Sequence, residues 1–499
     1  MKAFRALAVL AVSAAFGSAV AQVAAPADVP LDPGAALPAY ANLPDMGSGA
    51  NAIISRADEY QIGRIMVHNL RKEGEILEDP EATEYINTVG QRLASEAQEG
   101  QTKFQFFVVR DPAWNAFAMP GGFIVVNSGL FMQMESESEL AAVMAHEVGH
   151  VTQRHIARAV QAQSRNTLPM MAALLGAILI GAMSGGGDAA PGLISMAQGA
   201  AMQQQINFGR MEESEADRVG IGYMAAAGFD PNAVANLWSN KLRNDGVSLS
   251  ELPELLRSHP VDRARIAEAR QRAAQLPKRK VVDSAGFGLM RERLRVISAS
   301  TTEADLRPYY RGMMERGDRS LAVRYGYALA QMRSGEPALA AKGLEKLVEE
   351  QPGLIVLHTA LGQARMAAGE REAALKGFQK AIDLYPRNVP LTVRYAEALI
   401  EAGEPKRAHQ LLLDVFNNVV PTPDQIRLTA LAASAAGDTG DAYYYMSEYH
   451  IAGGDLMLAT QQLDLALAAP RLTEVQRKRF LARREEIREY LREQRRTRG

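Results

Sequence analysis

The stretch "AAVMAHEVGHVTQRH", residues 141–155, holds two histidines four apart with a glutamate beside the first. On a helix, residues four apart share a side, so His146 and His150 can turn ring nitrogens toward one ion, at about 2.0–2.1 Å if that ion is zinc. Glu147 lies about 100° further round a helix of 3.6 residues per turn. From there it can reach a water at the ion without ligating it, which is the position of a general base. His155, nine positions from His146, is out of phase and is expected to be structural. A short His-Glu-x-x-His also arises by chance, so the rest of the chain must decide.

A catalytic zinc takes three protein ligands and keeps a fourth position open. The 499 residues contain no cysteine, so any metal must be held by His, Asp or Glu. The segment "FGRMEESEADRVG", residues 208–220, offers Glu213 and Asp217 four apart, with Glu215 between them facing away. With Glu213 on the metal, Asp217 on the same face can accept a proton from a ligand imidazole and fix its tautomer. Spacing alone does not choose among Glu212, Glu213 and Glu215.

The surroundings suit such a centre. Apolar residues recur at three and four between Ser55 and Ala97, which predicts a pair of helices. "FQFFVVR" at 104–110 and "GGFIVVNSG" at 121–129 read as short strands, followed by a motif helix starting near Ser136. A small sheet beside that helix makes an α+β domain, expected over residues 51–276. The strand Gly121, Gly122, Phe123, Ile124, Val125, Val126 is expected as an edge that pairs with extended substrate. Residues 168–183, "LPMMAALLGAILIGAM", are the most apolar run after the N-terminus. They read as a buried helix or hairpin, a lid over the cleft, or a membrane-surface contact.

At the N-terminus, Lys2 and Arg5 precede an apolar run from Ala6 to Phe16, and Ala19-Val20-Ala21 supplies a small-x-small cleavage pattern. The run is about half the ~20 residues that a spanning helix needs. We therefore expect a signal peptide over 1–21, an irregular leader over 22–50, and export to the periplasm. Without cysteine the chain has no lipoprotein anchor and no disulfide. The formal net charge of −2 offers no basic field for nucleic acid.

The C-terminal half repeats. Gly335-Glu336, Gly369-Glu370, Gly403-Glu404 and Gly437-Asp438 recur every 34 residues, with Ala340, Ala374, Ala408 and Ala442 in the same phase. Pro352 and Pro386 fit the same register. This is the tetratricopeptide pattern: glycine takes the turn, alanine admits close helix packing, and proline ends the second helix. Residues 277–320 are expected as linker and leading helices, and 321–499 as an all-α solenoid with capping helices whose concave face holds a protein segment. The arginine-rich end, "RKRFLARREEIREYLREQRRTRG", reads mainly as a solvated face, with peripheral contact to an anionic membrane as the rival.

"AHEVGH", "RMEESEADRVG" and the preceding "NAFAMPGGFIVVNSGL" together resemble the HtpX and CAAX-prenyl-endopeptidase type of zinc metallopeptidase, over roughly Ala50 to Leu276. The resemblance implies a gluzincin-like fold of the zincin type and one Zn²⁺ per chain on His146, His150 and Glu213, with Glu147 as base. It also implies Asp217, Arg210 and Arg265 around the ligands. "RSHPVDRAR" supplies that family's His-Pro element as His259-Pro260, placing His259 at the active site, either capping the metal or steadying the oxyanion. Gly209, where a serine often precedes the Arg, is a departure that leaves the ligands untouched. With an export signal and repeats, the whole chain is similar to the periplasmic beta-barrel assembly-enhancing proteases of Gram-negative bacteria. That implies degradation of misfolded or stalled chains and partners in outer-membrane protein assembly. The rival reading is a periplasmic chaperone or scaffold with a latent or structural metal site.

Overall fold

The structure, a computed structural model, describes residues 55–97, 102–161, 209–244, 255, 258–277, 281–299 and 305–498. The expected signal peptide, the leader and the apolar run 168–183 lie outside the described residues. Ser55 starts helix α1 (Arg56–Lys72) through a capping box, its hydroxyl accepting the Asp58 N–H while the Asp58 carboxylate accepts the Ser55 N–H, each at 3.1 Å. Asp79 caps α2 (Pro80–Ala94), with Pro80 in the first turn, where its missing N–H is no loss. α1 and α2 flank a three-stranded sheet of β1 (Gln105–Val109), β2 (Ala116–Met119) and β3 (Phe123–Asn127).

The strand order is β1-β3-β2, with β3 parallel to β1 and antiparallel to β2. This corrects the expectation for 121–126. β3 is buried at every residue and paired on both sides, so it is the centre of the sheet and has no free edge for a substrate. Of the two outer strands, β1 is bridged along its far side by residues 75–77, and β2 is the other, whose four residues "AFAM" are too few to show alternation. Gly121 and Gly122 turn the chain between them with φ of 83° and 93°, and a Cβ on Gly121 would meet the Tyr60 backbone at 2.4 Å.

α3 (Ser128–Gln133) leads to α4 (Glu137–Thr152), capped by the Ser136 hydroxyl on the Glu139 N–H. The quoted stretch is not one continuous helix. α4 ends at Thr152, Arg154 takes φ of 53°, and a second helical segment runs over 155–161. Arg154 is held there by an ion pair to Glu59 at 3.1 Å in buried surroundings. The helix over 209–226, α5, crosses α4 at close range. A Cβ on Gly149 would meet the Ala216 carbonyl at 2.9 Å, and one on Gly220 the Ala145 carbonyl at 3.0 Å. Two glycines thus let the backbones approach, and that approach brings the α5 carboxylates to the α4 histidines.

The repeat region consists of the helix pairs Leu321–Arg333 with Pro337–Glu350, Ile355–Ala367 with Arg371–Leu384, Val389–Glu401 with Pro405–Phe416, and Pro423–Ala435 with Thr439–Ala452. Leu456–Ala468 and Glu474–Arg498 follow. Gly335, Gly369, Gly403 and Gly437 have φ of 79–84°, and a Cβ on any of them meets nothing, so backbone conformation and not space demands glycine. In each turn the following N–H returns to a carbonyl five residues back, as in Glu336 to Gln331 at 2.9 Å, closing a Schellman motif. Ala340, Ala374 and Ala408 are fully buried, whereas Ala442 is half-buried. In that last unit the close packing passes to Gly440, where a Cβ would meet Leu472 at 2.5 Å. Two arginines of the final helix pair with the helices before it, Arg483 with Glu448 at 2.8 Å and Arg484 with Asp464 at 2.9 Å, while Arg477 and Arg492 are exposed. No helix among the described residues is long and apolar enough to cross a membrane.

The segment 277–320 carries the helices Ala285–Ser298 and Arg307–Glu315, in line with the leading helices expected there. Its helix Ala285–Ser298 sends Phe287, Met290 and Leu294 into the core of the N-terminal domain and Leu289 and Val296 into the first repeat. Arg293 of that helix bonds both Asp79 oxygens at 2.8 and 2.7 Å and Glu81 at 2.9 Å, while Arg394 of the third pair reaches the same two carboxylates at 2.8 Å. The repeats are therefore fastened to the start of α2 by buried charge.

Candidate metal centre

His146 and His150 emerge from one face of α4 with Nε2 atoms 3.0 Å apart. Glu213 approaches from α5, its Oε2 3.3 Å from His146 Nε2 and its Oε1 3.4 Å from His150 Nε2. His259, at the end of the "RSHP" segment, sets Nδ1 3.3 Å from His146 Nε2 and 2.9 Å from Glu213 Oε1. Donor atoms of these four residues all lie within 4.8 Å of one another. Convergence of imidazole nitrogens and one carboxylate, without sulfur, is the donor set of a zinc site of the His-His-Glu kind. The residues present fit that ion. Glu212, the neighbour that spacing could not exclude, turns instead toward Arg158, 3.9 Å away.

The surrounding shell fixes this geometry. His146 Nδ1 lies 2.9 Å from Asp217 Oδ1, so the ring donates there and leaves Nε2 as the lone pair facing the centre. Arg265 donates Nε to Asp217 at 2.8 Å, and its Nη1 serves the Pro260 carbonyl at 2.6 Å and Glu213 at 2.9 Å. One guanidinium thus ties the two acidic residues to the His-Pro segment. Arg210, expected beside it, is exposed and makes no described contact with the ligands. It sits one helical turn before Glu213, beyond the pocket.

On the other side His150 Nδ1 meets His155 Nδ1 at 2.8 Å, and His155 Nε2 meets Glu215 at 3.2 Å, with Arg158 on the same oxygen at 2.8 Å. His155 therefore orients a ligand histidine. Sequence periodicity could not show this, because the backbone break at Arg154 swings His155 under His150.

The electrostatics favour a cation. Burial alone would lower the His146 pKa, but Asp217 and Glu213 raise it to about 10. Burial lowers His150 to about 3 despite Glu213. Burial would also raise Glu213, yet His259, His146 and His150 hold it well below the usual carboxylate range. A pocket that stabilises positive charge at His146 Nε2 does so for a metal ion as for a proton. Glu147 is 1% exposed, and burial pushes its pKa up. Its Oε1 stands 3.6 Å from His259 Nε2 without a hydrogen-bond partner. A buried carboxylate with spare acceptor capacity next to a cation site is suited to take up a proton.

Residues 80–273 match the model of Peptidase family M48, and 365–432 a tetratricopeptide repeat model. The chain is 37% identical over 64% of its length to the beta-barrel assembly-enhancing protease of Escherichia coli K12, and 36% identical over 64% to that of Yersinia pestis. It covers 66% and 65% of those proteins, so it spans just under two thirds of the curated relatives it matches. It is also 30% identical, over 37% of its length, to the mitochondrial metalloendopeptidase OMA1 of Schizosaccharomyces pombe, of which it covers 51%.

Proposed function

We propose that this chain, with a family M48 peptidase domain over residues 80–273 and tetratricopeptide repeats behind it, is a zinc-dependent endopeptidase of the periplasm. The observation that carries the reading is the convergence of His146, His150 and Glu213 beside the buried Glu147. Those three residues would hold zinc, which would supply Lewis acidity toward a peptide carbonyl and lower the pKa of a water toward neutrality. Glu147 takes the proton from the attacking water and returns it to the departing amine. Asp217 holds the His146 tautomer, Arg265 keeps Glu213 and Asp217 in place, and His155 does the same for His150. Substrate adds as an extended strand to the β2 edge at Ala116–Met119, which packs on the helix that carries the base. Main-chain pairing of that kind accepts any unfolded sequence, which suits misfolded or stalled chains. The relatives' name, beta-barrel assembly-enhancing protease, supports beta-barrel assembly as the setting. The test is hydrolysis of casein by the full chain: a chelator is expected to abolish it and added zinc to restore it. Undiminished hydrolysis after stoichiometric removal of metal refutes the reading.

His259 gives a second test. Its Nδ1 stands among the ligand atoms, so it competes for the open position at rest. His259→Ala is then expected to raise basal casein hydrolysis several-fold. A fall instead assigns His259 to the oxyanion.

The repeats recruit the substrate. A cleft of about 620 Å³ lies where the repeats face the start of α2, lined by Glu78 and Thr83 on one side and by Leu428, Leu431, Tyr443 and Met446 on the other. Leu431 and Tyr443 are exposed apolar residues in that cleft. Leu431→Asp is expected to weaken cleavage of full-length protein about tenfold while sparing a short peptide, since a buried leucine contact is worth about 1.5–3 kcal/mol. Equal losses on both substrates remove the recruiting role.

A further inference from the structure

We propose that the repeat region holds a second divalent-metal site, formed by His409, Asp438 and Asp441, for an ion of zinc-like chemistry. His409 lies on the second helix of the third pair, Asp438 in the glycine turn of the fourth, and Asp441 one turn into the helix that follows. One donor atom from each comes within 4.8 Å of the others. His409 is 8% exposed, and its Nε2 is buried without a hydrogen-bond partner.

That nitrogen points at Asp441 Oδ2, 3.6 Å away. The gap is too long for a hydrogen bond. It is close to the span of about 3.4 Å between two ligands on one tetrahedral ion with bonds of about 2.0–2.1 Å. The rest of the cluster leaves that direction open. Asp441 Oδ1 is engaged by Gln476 at 3.0 Å and by Arg479, while no described hydrogen bond reaches Oδ2. Asp438 caps the helix through Oδ1 to the Asp441 N–H at 2.9 Å and accepts the Gln476 amide on Oδ2 at 2.9 Å. Each carboxylate oxygen has two acceptor sites, so the cap and the amide can remain when an ion is bound.

The second shell is also in place. Arg479 stacks on Tyr444, 4.3 Å from the ring centroid, and bonds the outer oxygen of Asp441. Tyr445 packs edge-on against His409 at 85° and fixes the imidazole plane. Two carboxylates against one guanidinium leave the cluster net negative around a neutral imidazole. Burial lowers the His409 pKa, which keeps the ring in its ligand form near neutrality. A bound ion crosslinks the third pair to the fourth and, through Arg479 and Gln476, to the final helix. In a solenoid whose stability is a sum over neighbouring units, that fastens its terminal end.

The test is a calorimetric titration of zinc into the full chain that already carries its tightly held equivalent. One further equivalent is expected, with affinity falling at least tenfold in His409→Ala. Asp438→Asn is the second variant, because asparagine keeps the helix cap while losing the charge. It is expected to weaken the further equivalent alike and to leave the metal-free melting temperature unchanged. Zinc at about a hundredfold excess over Kd is expected to raise the melting of the repeats by roughly 5 °C in the wild type and not in either variant. No further equivalent, or one retained equally by both variants, overturns the site.

Discussion

Glu147→Gln is expected to lower the rate of casein hydrolysis by about 100- to 10,000-fold while leaving bound zinc unchanged, since proton transfer by a placed base contributes that much. Glutamine has the same shape and fits a position that is 1% exposed, so packing survives. Only the ability to take a proton is lost. Metal content and turnover measured on one preparation separate this from damage to the site: a variant that keeps its zinc and its activity would assign the base elsewhere. The same variant decides between a peptidase and a chaperone or scaffold. A binding module holds client proteins equally well with or without that carboxylate.

Arg293→Ala is expected to cost about 3–5 kcal/mol and to split thermal unfolding into separate peptidase and repeat transitions. Arg293 is buried, bonds both Asp79 oxygens and Glu81, and takes the Tyr325 hydroxyl at 3.1 Å. Its removal leaves two buried carboxylates with Arg394 as their remaining described guanidinium partner. A single transition at the wild-type temperature would show the ion cluster to be unimportant. The cluster also sets an acid limit. Burial pushes the Asp79 pKa up, but Arg293 and Arg394 outweigh it and hold it at about 2, below the ordinary 3.8. A depressed carboxylate stabilises the fold above its unfolded pKa, and that contribution is lost as pH falls from about 4 through 2. The shift corresponds to roughly 2 kcal/mol. The repeats should therefore loosen from the peptidase domain in that window, as followed by domain-specific hydrogen exchange. Truncation at residue 321 would expose the same carboxylates, so deleting the repeats does not isolate recruitment from stability.

Much of this was legible because the chemistry is local. The four-residue spacing of His146 and His150 requires only a helix, and each 34-residue turn requires a glycine for its own backbone. What the sequence hid depends on tertiary contact. No glycine or proline marks the break at Arg154; its positive φ is held by Glu59 from α1, and the role of His155 follows from that break. β2 is a strand because β3 pairs with it, not because four residues show a pattern. Arg210 and Arg265 are both plausible partners for an acidic cluster, and only the position of α5 shows that Arg265 reaches it. A helix within 277–320 was legible, but not that its apolar residues divide between two cores and so join the repeats to the preceding domain.

The most direct measurement of the central claim is an anomalous difference map of the zinc-loaded full chain, collected across the zinc absorption edge. The account predicts a peak about 2.0–2.2 Å from His146 Nε2, His150 Nε2 and a Glu213 oxygen. A chain that digests casein yet shows no peak between those three residues would contradict it.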